Sequence, residues 1–416
     1  MTLGLLTLSG CLNKAATPEK FSSDETIDFQ VASKSMIPTL FGPHAIYECV
    51  DCGVATRGVS AAVDGTLVAF QCPACGGGCR QTGLQPGDRL QLIRGQAKSQ
   101  GLRRFDLVAF MLDGVPHVKR IWGLPGESLR ISGGEFIVDG KPLQKKIDEL
   151  LQVAVPVAAF TEGGPRWRVR DATSRDAAVV EYSHRIPIRR RKSDRDINDD
   201  QGTGQHAVAR MRRSAIDDNY PWDLEASYPL RDVEDVGIHL RFHPTGTETA
   251  ILQIRSASRV LTIILNRKAP DSLQRELRDT EGRYLLRVEV EAWIAVCDGR
   301  LLLHTDCESM TVDLAGLRSQ AEQVDEPEGM EGQAQFRLEL EDVQDLVEAR
   351  VFRDLQVRTE VPRRSDSAIH NIQTWGLGPA EYFLLGDNLP SSLDSRDFGG
   401  ISAHDILGRV HRVVEE

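Results

Sequence analysis

Short apolar runs of the length typical of β-strands are frequent in residues 87–143 of this chain. They are Leu90–Ile93, Asp106–Phe110, His117–Ile121 and Glu135–Val138. Short apolar runs bounded by turn signals are typical of β-strands. Two tight-turn dipeptides, Asp113-Gly114 and Asp139-Gly140, lie between or after the runs. We therefore expect a mainly β protein with an antiparallel core built of hairpins.

A second series of strand-like runs occupies residues 236–305, and its regular spacing favours a β-sandwich. Asp298-Gly299 is a hairpin turn, and the surrounding V-C-D-G-R-L-L resembles a hairpin of laminin-G or concanavalin-like jelly rolls. That resemblance implies a glycan or protein ligand, with a purely structural insert as the alternative. Cys297 and Cys307 would either bridge or stay free. Residues 146–235 look polar and irregular, which is typical of solvated loops.

Four of the eight cysteines form two C-x-x-C pairs, Cys49/Cys52 and Cys72/Cys75. Two such pairs at this spacing are typical of a zinc ribbon, because each knuckle presents two thiolates to one side of a tetrahedral ion. Two local disulfides or unpaired thiols are the alternatives, and export would favour the disulfides. Cys79 is an extra cysteine outside the pattern. Since a four-cysteine site is closed, we expect structural zinc and no cofactor for catalysis.

The stretch Ser33–Leu40 and the distant Lys119 suggest a nucleophile and its base. Serine is a poor nucleophile near neutral pH until a base takes its proton. A lysine can be that base if burial in apolar surroundings lowers its pKa toward the working pH. Met36 and Ile37 flank the serines, and Trp122 follows the lysine. A strand lysine is usually solvated, so these residues alone are a weak indication of a Ser–Lys pair.

Four blocks in this order resemble bacterial type I signal peptidase, the membrane-associated Ser–Lys protease that removes signal peptides. Ser33–Leu40 is similar to the family's S-x-S-M-x-P-T-L. Gly87–Leu90 with Arg104–Phe110 is similar to G-D followed by R-G-D-[IV]-V-x-F. Lys119–Gly126 is similar to K-R-x-x-G-x-P-G, and Gly386–Gly399 to G-D-N-R-x-x-S-x-D-S-R-x-x-G. The resemblance covers somewhat over a third of the chain.

The resemblance implies a role for each matching residue. Ser35 would attack the scissile carbonyl, and Lys119 would be its general base. The Ser33 hydroxyl and the backbone N–H of Ser35 would stabilise the oxyanion. Ser392 would hydrogen-bond the lysine and orient it. Three charged residues would brace the surrounding loops, unless they are an ordinary surface cluster: Asp387, Asp394 and Arg396.

Three residues depart from the family's pattern. Lys34 replaces the glycine between the two serines, and a second cation near Lys119 would lower the pKa of that lysine further. Phe105 replaces the glycine of R-G-D, so we expect a different backbone turn there. Leu389 replaces the arginine after G-D-N. None of these changes removes a member of the Ser–Lys pair.

The resemblance also divides the chain into domains. The catalytic core would comprise residues 25–145 and 375–416, with the zinc-ribbon-like segment 46–80 inside its first part. The intervening residues 146–374 would be an inserted domain, β-sandwich-like from about 236 to 345. The expected fold is therefore a signal-peptidase-type antiparallel β core that carries a small zinc knuckle and an inserted sandwich.

Residues 1–24 are expected to be an anchor or linker. No run approaches the roughly 20 apolar residues that a membrane helix needs, although the resembled family has one or two such helices. Leu8–Cys11 has the form of a lipobox, so a lipid on Cys11 is one candidate anchor. A start further upstream and a soluble protein are the alternatives. The resemblance implies a catalytic domain on the outer, periplasmic face of the cell membrane, in contact with the membrane surface.

The resulting functional hypothesis is a serine endopeptidase that removes signal peptides from exported preproteins after a small residue. The alternative is a non-catalytic or specialised relative that binds a protein or glycan through the inserted sandwich. A self-cleaving repressor with the same pair is disfavoured, because the Gly386–Gly399 block belongs to the peptidase. The net charge of −11 argues against a nucleic-acid partner.

Overall fold

The computed structural model describes residues 26–59, 70–94, 101–132, 134–160, 164–171, 177–187, 211–223, 230–256, 259–269, 283–314, 335–357 and 373–414. Within these residues, 28 strands form six sheets. Neighbouring strands are antiparallel in all of them except for one parallel pair. The sequence-based prediction of a mainly β protein is confirmed.

A seven-stranded sheet contains strands from both ends of the chain. In order across the sheet they are β1 (Thr26–Gln30), β5 (Arg89–Arg94), β28 (Ile406–Val414), β6 (Leu107–Leu112), β7 (Val115–Gly123), β26 (Glu381–Leu385) and β27 (Ile401–Ser402). A four-stranded sheet follows the order β10 (Lys141–Pro142), β9 (Glu135–Val138), β8 (Ser128–Ser132) and β25 (Gln373–Gly376). The sequence blocks that surround the expected nucleophile and base thus meet on one scaffold.

Two six-stranded sheets share a single apolar core. The first has the order β11 (Val155–Ala159), β24 (Leu346–Arg353), β16 (Val236–Phe242), β20 (Glu291–Cys297), β21 (Arg300–Thr305) and β22 (Ser309–Asp313). The second has the order β12 (Trp167–Asp171), β13 (Ala178–Tyr182), β23 (Phe336–Leu340), β17 (Thr249–Ser256), β18 (Arg259–Asn266) and β19 (Arg283–Arg287). Alternate residues of facing strands fill the core, such as Ile238 and Leu240 against Leu252 and Ile254, which is the packing of a β-sandwich.

The sandwich uses more of the chain than the predicted 236–345. Residues 146–235 were expected to be irregular, but they contain helix α1 (Ile147–Val153) and strands β11, β12 and β13. In β12 the buried Trp167 alternates with the exposed Arg168 and Arg170. Such a short strand with a charged outer face has little apolar pattern to detect, which explains the error.

The cysteine pairs accompany a three-stranded sheet of β3 (Ala55–Gly58), β2 (His44–Cys49) and β4 (Cys79–Gln85). A small ribbon joins β14 (Arg185–Pro187) to β15 (Met211–Arg213), and a second short helix, α2, spans Ser395–Phe398. Cys297 and Cys307 are both free thiols, so the conceivable bridge is not formed.

Cys11 and the expected anchor of residues 1–24 lie outside the described residues. Among the helices that the structure does describe, none has the length and apolar character needed to cross a bilayer.

Candidate active site

The loop that carries Ser35 connects β1 to β2, and Asp88 holds it at two points. The Asp88 carbonyl accepts a hydrogen bond from Val31 N at 2.9 Å, and its N–H donates to Phe41 O at 2.8 Å. The Asp88 carboxylate accepts the Phe41 N–H, also at 2.8 Å. A Cβ on Gly87 would come within 1.8 Å of the Val31 carbonyl oxygen. The Gly-Asp pair of the second block therefore fixes this loop, which we call the nucleophile loop after the role expected of Ser35.

The structure brings the expected nucleophile and base together. Lys119 Nζ donates a hydrogen bond to Ser35 Oγ at 2.5 Å, across 84 positions of sequence. Lys119 lies on β7 opposite Val108 of β6. The exposed fractions are 3% for Lys119 and 8% for Ser35. This lysine is not a solvated strand residue but a buried amine aimed at a serine hydroxyl.

Burial lowers the pKa of Lys119 to about 8, because the charged ammonium loses its hydration. The carboxylates of Asp394 and Asp387 work against this shift, and the guanidinium of Arg396 adds to it. At pH 7, roughly a tenth of the molecules would hold Lys119 as the neutral amine. A neutral amine within hydrogen-bond distance of a hydroxyl is able to act as a general base.

Ser33 lies beside this pair, with its Oγ 3.2 Å from Ser35 Oγ. Unlike Ser35, Ser33 is exposed. Ser33 is therefore the more accessible of the two serines. A hydroxyl in that position is able to donate to an oxygen on which negative charge develops.

The site thus brings together a buried lysine amine and two serine hydroxyls. The model of the signal peptidases, peptidase S26, matches residues 26–152 and 317–414, which is more than half of the chain. The chain belongs to the signal peptidase family. No curated protein matches its sequence. Residues 153–316 lie outside the matched ranges, and they include much of the sandwich.

The charged residues of the fourth block form two separate buried ion pairs in this signal peptidase relative. Arg120 donates from Nε and Nη2 to the two oxygens of Asp387, at 2.8 and 2.6 Å. Arg396 donates from Nε and Nη2 to the two oxygens of Asp394, both at 2.8 Å. Asp394 also caps α2 by accepting the backbone N–H of Arg396. A surface cluster is therefore the wrong interpretation of these residues.

Arg120 was missed as a site residue, although it follows Lys119 directly in the third block. Besides its two bonds to Asp387, it donates from Nη1 to the carbonyl of Phe105 at 2.9 Å. Its guanidinium thus connects β7 to the loops of the second and fourth blocks. The Lys-Arg dipeptide itself was the available signal. Adjacent strand residues point to opposite faces, so Arg120 faces other residues than Lys119, the expected base, and needs a role of its own.

Phe105, which stands where the resembled pattern has glycine, has an unusual backbone conformation. Its φ is 70°, in the left-handed region that usually favours glycine. The ring is buried and packs edge-on against Trp122, with 5.2 Å between ring centroids. Packing of the aromatic ring thus holds a glycine-like backbone in a residue with a Cβ.

Ser392 does not make the predicted hydrogen bond to Lys119. Its Oγ is buried, and in the described part of the chain it meets no partner with normal hydrogen-bond geometry, although it lies near enough to help keep Asp394 ionised. A Cβ on Gly386 would come within 2.2 Å of Ser392 Oγ and 2.5 Å of the Ser35 carbonyl oxygen. Ser392 therefore packs against Gly386, next to the backbone of Ser35, and does not orient Lys119 directly.

Lys34 does not act on Lys119 in the way that the sequence suggested. Its ammonium forms an ion pair with Asp223, with 3.0 Å between Nζ and Oδ1. The groups that shift the pKa of Lys119 are its own burial, the carboxylates of Asp394 and Asp387, and the guanidinium of Arg396. The charge of Lys34 is thus balanced by a carboxylate that sequence reasoning did not identify.

The four paired cysteines converge on one point. The sulfur atoms of Cys49 and Cys75 are 3.5 Å apart, those of Cys52 and Cys72 are 3.7 Å apart, and all four lie within 4.8 Å of one another. A disulfide needs about 2.05 Å, and the four thiols are free. Tetrahedral zinc with Zn–S bonds of about 2.3 Å would separate the sulfurs by about 3.8 Å. The four residues therefore fit a metal ion.

Proposed function

We propose that this member of the signal peptidase family is a serine endopeptidase that removes signal peptides from exported preproteins. Ser35 is the nucleophile and Lys119 its general base. The observation that carries the proposal is the 2.5 Å hydrogen bond between a buried lysine and a serine hydroxyl. Family membership supports the substrate class. The lowered pKa of Lys119 supports base catalysis near neutral pH.

In this mechanism the neutral Lys119 amine accepts the proton of Ser35 Oγ while the oxygen attacks the scissile carbonyl carbon. The resulting oxyanion is stabilised by the Ser33 hydroxyl and the Ser35 backbone N–H. The Lys119 ammonium then gives its proton to the departing amine, and the peptide C–N bond breaks. A water molecule, deprotonated in turn by Lys119, attacks the acyl-enzyme ester, and the ester C–O bond breaks as the Lys119 ammonium returns the proton to Ser35 Oγ.

We propose that the signal peptide binds as an added strand beside β1. Among the described strands, β1 pairs only with β5 and so forms an edge of the seven-stranded sheet. The nucleophile loop begins directly after it. Main-chain hydrogen bonds along such an edge supply affinity, and alternate side-chain pockets supply the preference for small residues.

We also propose zinc as the metal of the four-cysteine cluster, and residues 146–374 as a domain inserted into the catalytic core. Zinc would be held by Cys49, Cys52, Cys72 and Cys75 and would be structural, since four protein ligands leave no open position. The separate core of the sandwich supports the inserted domain. Its ligand would be a protein or a glycan.

Preproteins reach their peptidase at a membrane, so we propose that the catalytic domain works at the membrane surface on the outer face. The anchor would be a lipid on Cys11 or a segment upstream. Detergent partitioning and mass spectrometry of the N-terminal peptide test this: an unmodified terminus in the soluble fraction would exclude the lipid.

The deciding experiment is cleavage of a model preprotein by the full-length protein and its variants. Ser35→Ala and Lys119→Ala should each lose cleavage completely while remaining folded. Ser132→Ala and Lys141→Ala are matched controls, because both residues lie on strands of the four-stranded sheet. Cleavage at wild-type rate by either site variant would exclude the proposed pair.

A further inference from the structure

Asp223 lies in a segment, residues 211–223, that is outside the family match and packs into the catalytic core. Tyr220 and Trp222, just before it, are buried in one apolar cluster with Ile37 and Leu389. The Trp222 carbonyl accepts the N–H of Val59 at 2.8 Å. This segment is therefore fixed on the core rather than lying loosely over it, and the position of Asp223 is correspondingly well defined.

The Asp223 carboxylate joins the two loops that build the active site. Oδ1 accepts from Lys34 Nζ at 3.0 Å, in the nucleophile loop. Oδ2 accepts from Asn388 Nδ2 at 2.7 Å and from Ser391 Oγ at 2.6 Å, both in the fourth block. Asp223 is only 2% exposed. Each of its oxygens thus has at least one donor, and the three donors come from two distant parts of the chain.

Asn388 extends this connection to the backbone around the nucleophile. Its Nδ2, which donates to Asp223, also donates to the Lys34 carbonyl at 3.0 Å. Its backbone N–H donates to the Ser35 carbonyl at 3.0 Å. The backbone carbonyls of Lys34 and Ser35 therefore both accept hydrogen bonds from Asn388. Asp223 in turn orients the Asn388 side chain.

The charge balance points in the same direction. Burial alone would raise the pKa of Asp223, but the hydrogen bonds from Ser391, Asn388 and Lys34 hold it below its usual value. The carboxylate therefore stays ionised at working pH. Lys34 stands where the resembled pattern has glycine, and its partner comes from residues that the family model does not match. Lys34 in the nucleophile loop and Asp223 in the segment outside the family match therefore form one ion pair.

We propose that Asp223 is a positioning residue for Ser35: it fixes Lys34 and Asn388 and thereby holds the nucleophile loop against the fourth block. The inference rests on the proposed function and assigns part of the active site to residues outside the family match. Asp223 touches neither reacting atom. Its effect is on the placement of Ser35 Oγ relative to Lys119 and to the scissile carbonyl, where displacements of about 1 Å change rates by about 100-fold.

The test uses Asp223→Asn in the full-length protein. Asparagine keeps the shape but offers one oxygen instead of two, so its NH2 group must face at least one of the three donors. We expect kcat for preprotein cleavage to fall on the order of 10- to 100-fold, with KM changed less than about twofold. Asp223→Glu, which restores both oxygens, should recover part of kcat. Equal kcat in wild type and Asp223→Asn would overturn the proposal.

Asp218→Asn is the matched control for general damage to the segment. Asp218 is a buried acid five positions earlier, and its Oδ1 accepts the backbone N–H of Arg231 at 2.9 Å. We expect it to lower thermal stability without the selective loss of kcat. If Asp218→Asn and Asp223→Asn reduced kcat equally at a temperature where both are folded, the role of Asp223 would be structural only.

Two further measurements separate this inference from the proposed function. In a Lys34→Gly background, Asp223→Asn should reduce kcat by a factor at least about threefold smaller than in wild type, because the cation that it would leave unpaired is absent. If the fold-losses in kcat of the two single variants simply multiplied in the double variant, Lys34 and Asp223 would not act together. Amide hydrogen exchange of the peptide 33–41 should speed up in Asp223→Asn and not in Asp218→Asn. The exchange measurement does not depend on activity. Absence of preprotein cleavage by wild type would overturn the proposed function, whereas unchanged exchange in Asp223→Asn would overturn the positioning role.

Discussion

Replacing Lys119 with methionine tests whether the amine of the proposed general base is buried at the expense of stability. The unfolded chain holds the Lys119 proton up to about pH 10.5, whereas the folded protein releases it near pH 8. Between these values the unfolded state binds more protons, so the free energy of unfolding rises with pH. Below about pH 8, the buried Lys119 ammonium lowers the free energy of unfolding by the full amount. Above about pH 10.5 this decrease is absent, because the amine is neutral in both states.

The magnitude follows from the two pKa values. Their difference corresponds to about 3 kcal/mol of unfolding free energy. Solvent screening is a small correction here, because Lys119 is only 3% exposed. Lys119→Met keeps a side chain of similar length and removes the titrating group. The unfolding free energy of wild type minus that of the variant should therefore increase by about 2–3 kcal/mol from pH 7 to pH 10. Titrating groups that do not interact with Lys119 cancel in this difference, and His117, whose pKa is lowered by burial and by the Lys119 charge, titrates below this range.

Urea unfolding followed by tryptophan fluorescence at several pH values measures the effect, with Trp122 as a buried reporter beside the site. Lys141→Met, at an exposed lysine of β10, should show no such increase. The same amine is the proposed general base, so kcat/KM should rise about tenfold per pH unit below pH 8 and level off above it. A stability difference that stays constant from pH 7 to pH 10 would refute the argument for a buried, pKa-shifted base.

Three further variants test other parts of the site. Phe105→Gly relieves a left-handed backbone worth about 1–2 kcal/mol but loses a buried ring worth about 3–5 kcal/mol, so denaturation should show a net loss of roughly 1–4 kcal/mol; a gain would contradict the packing argument. Gly386→Ala adds a Cβ 2.5 Å from the Ser35 carbonyl oxygen and should reduce kcat at least about 100-fold in the preprotein assay; wild-type kcat would show that the loops give way freely. We expect metal analysis of the wild-type protein to give one zinc ion per chain, and Cys72→Ser should abolish that binding and lower Tm; wild-type protein with no zinc and oxidised thiols would favour disulfides.

Local patterns in the sequence identified those features that depend on neighbours along the chain. Short apolar runs predicted strands such as β6 and β7, and the C-x-x-C spacing predicted four sulfurs around one point. The blocks around Ser35 and Lys119 pointed to a nucleophile and base that the structure brings within hydrogen-bond distance. The strand β12 escaped detection because its outer face is charged and its inner face contributes few apolar residues.

Tertiary structure alone decided the quantities on which catalysis depends. The pKa of Lys119 is set by burial and by carboxylates more than 250 residues further along the chain, and no local pattern encodes that environment. The ion pair between Lys34 and Asp223 joins positions 189 apart. A hydrogen bond or a shifted pKa depends on distance, orientation and exclusion of water, and only the folded chain supplies these. Sequence therefore determined which groups are available, and packing determined what they can do.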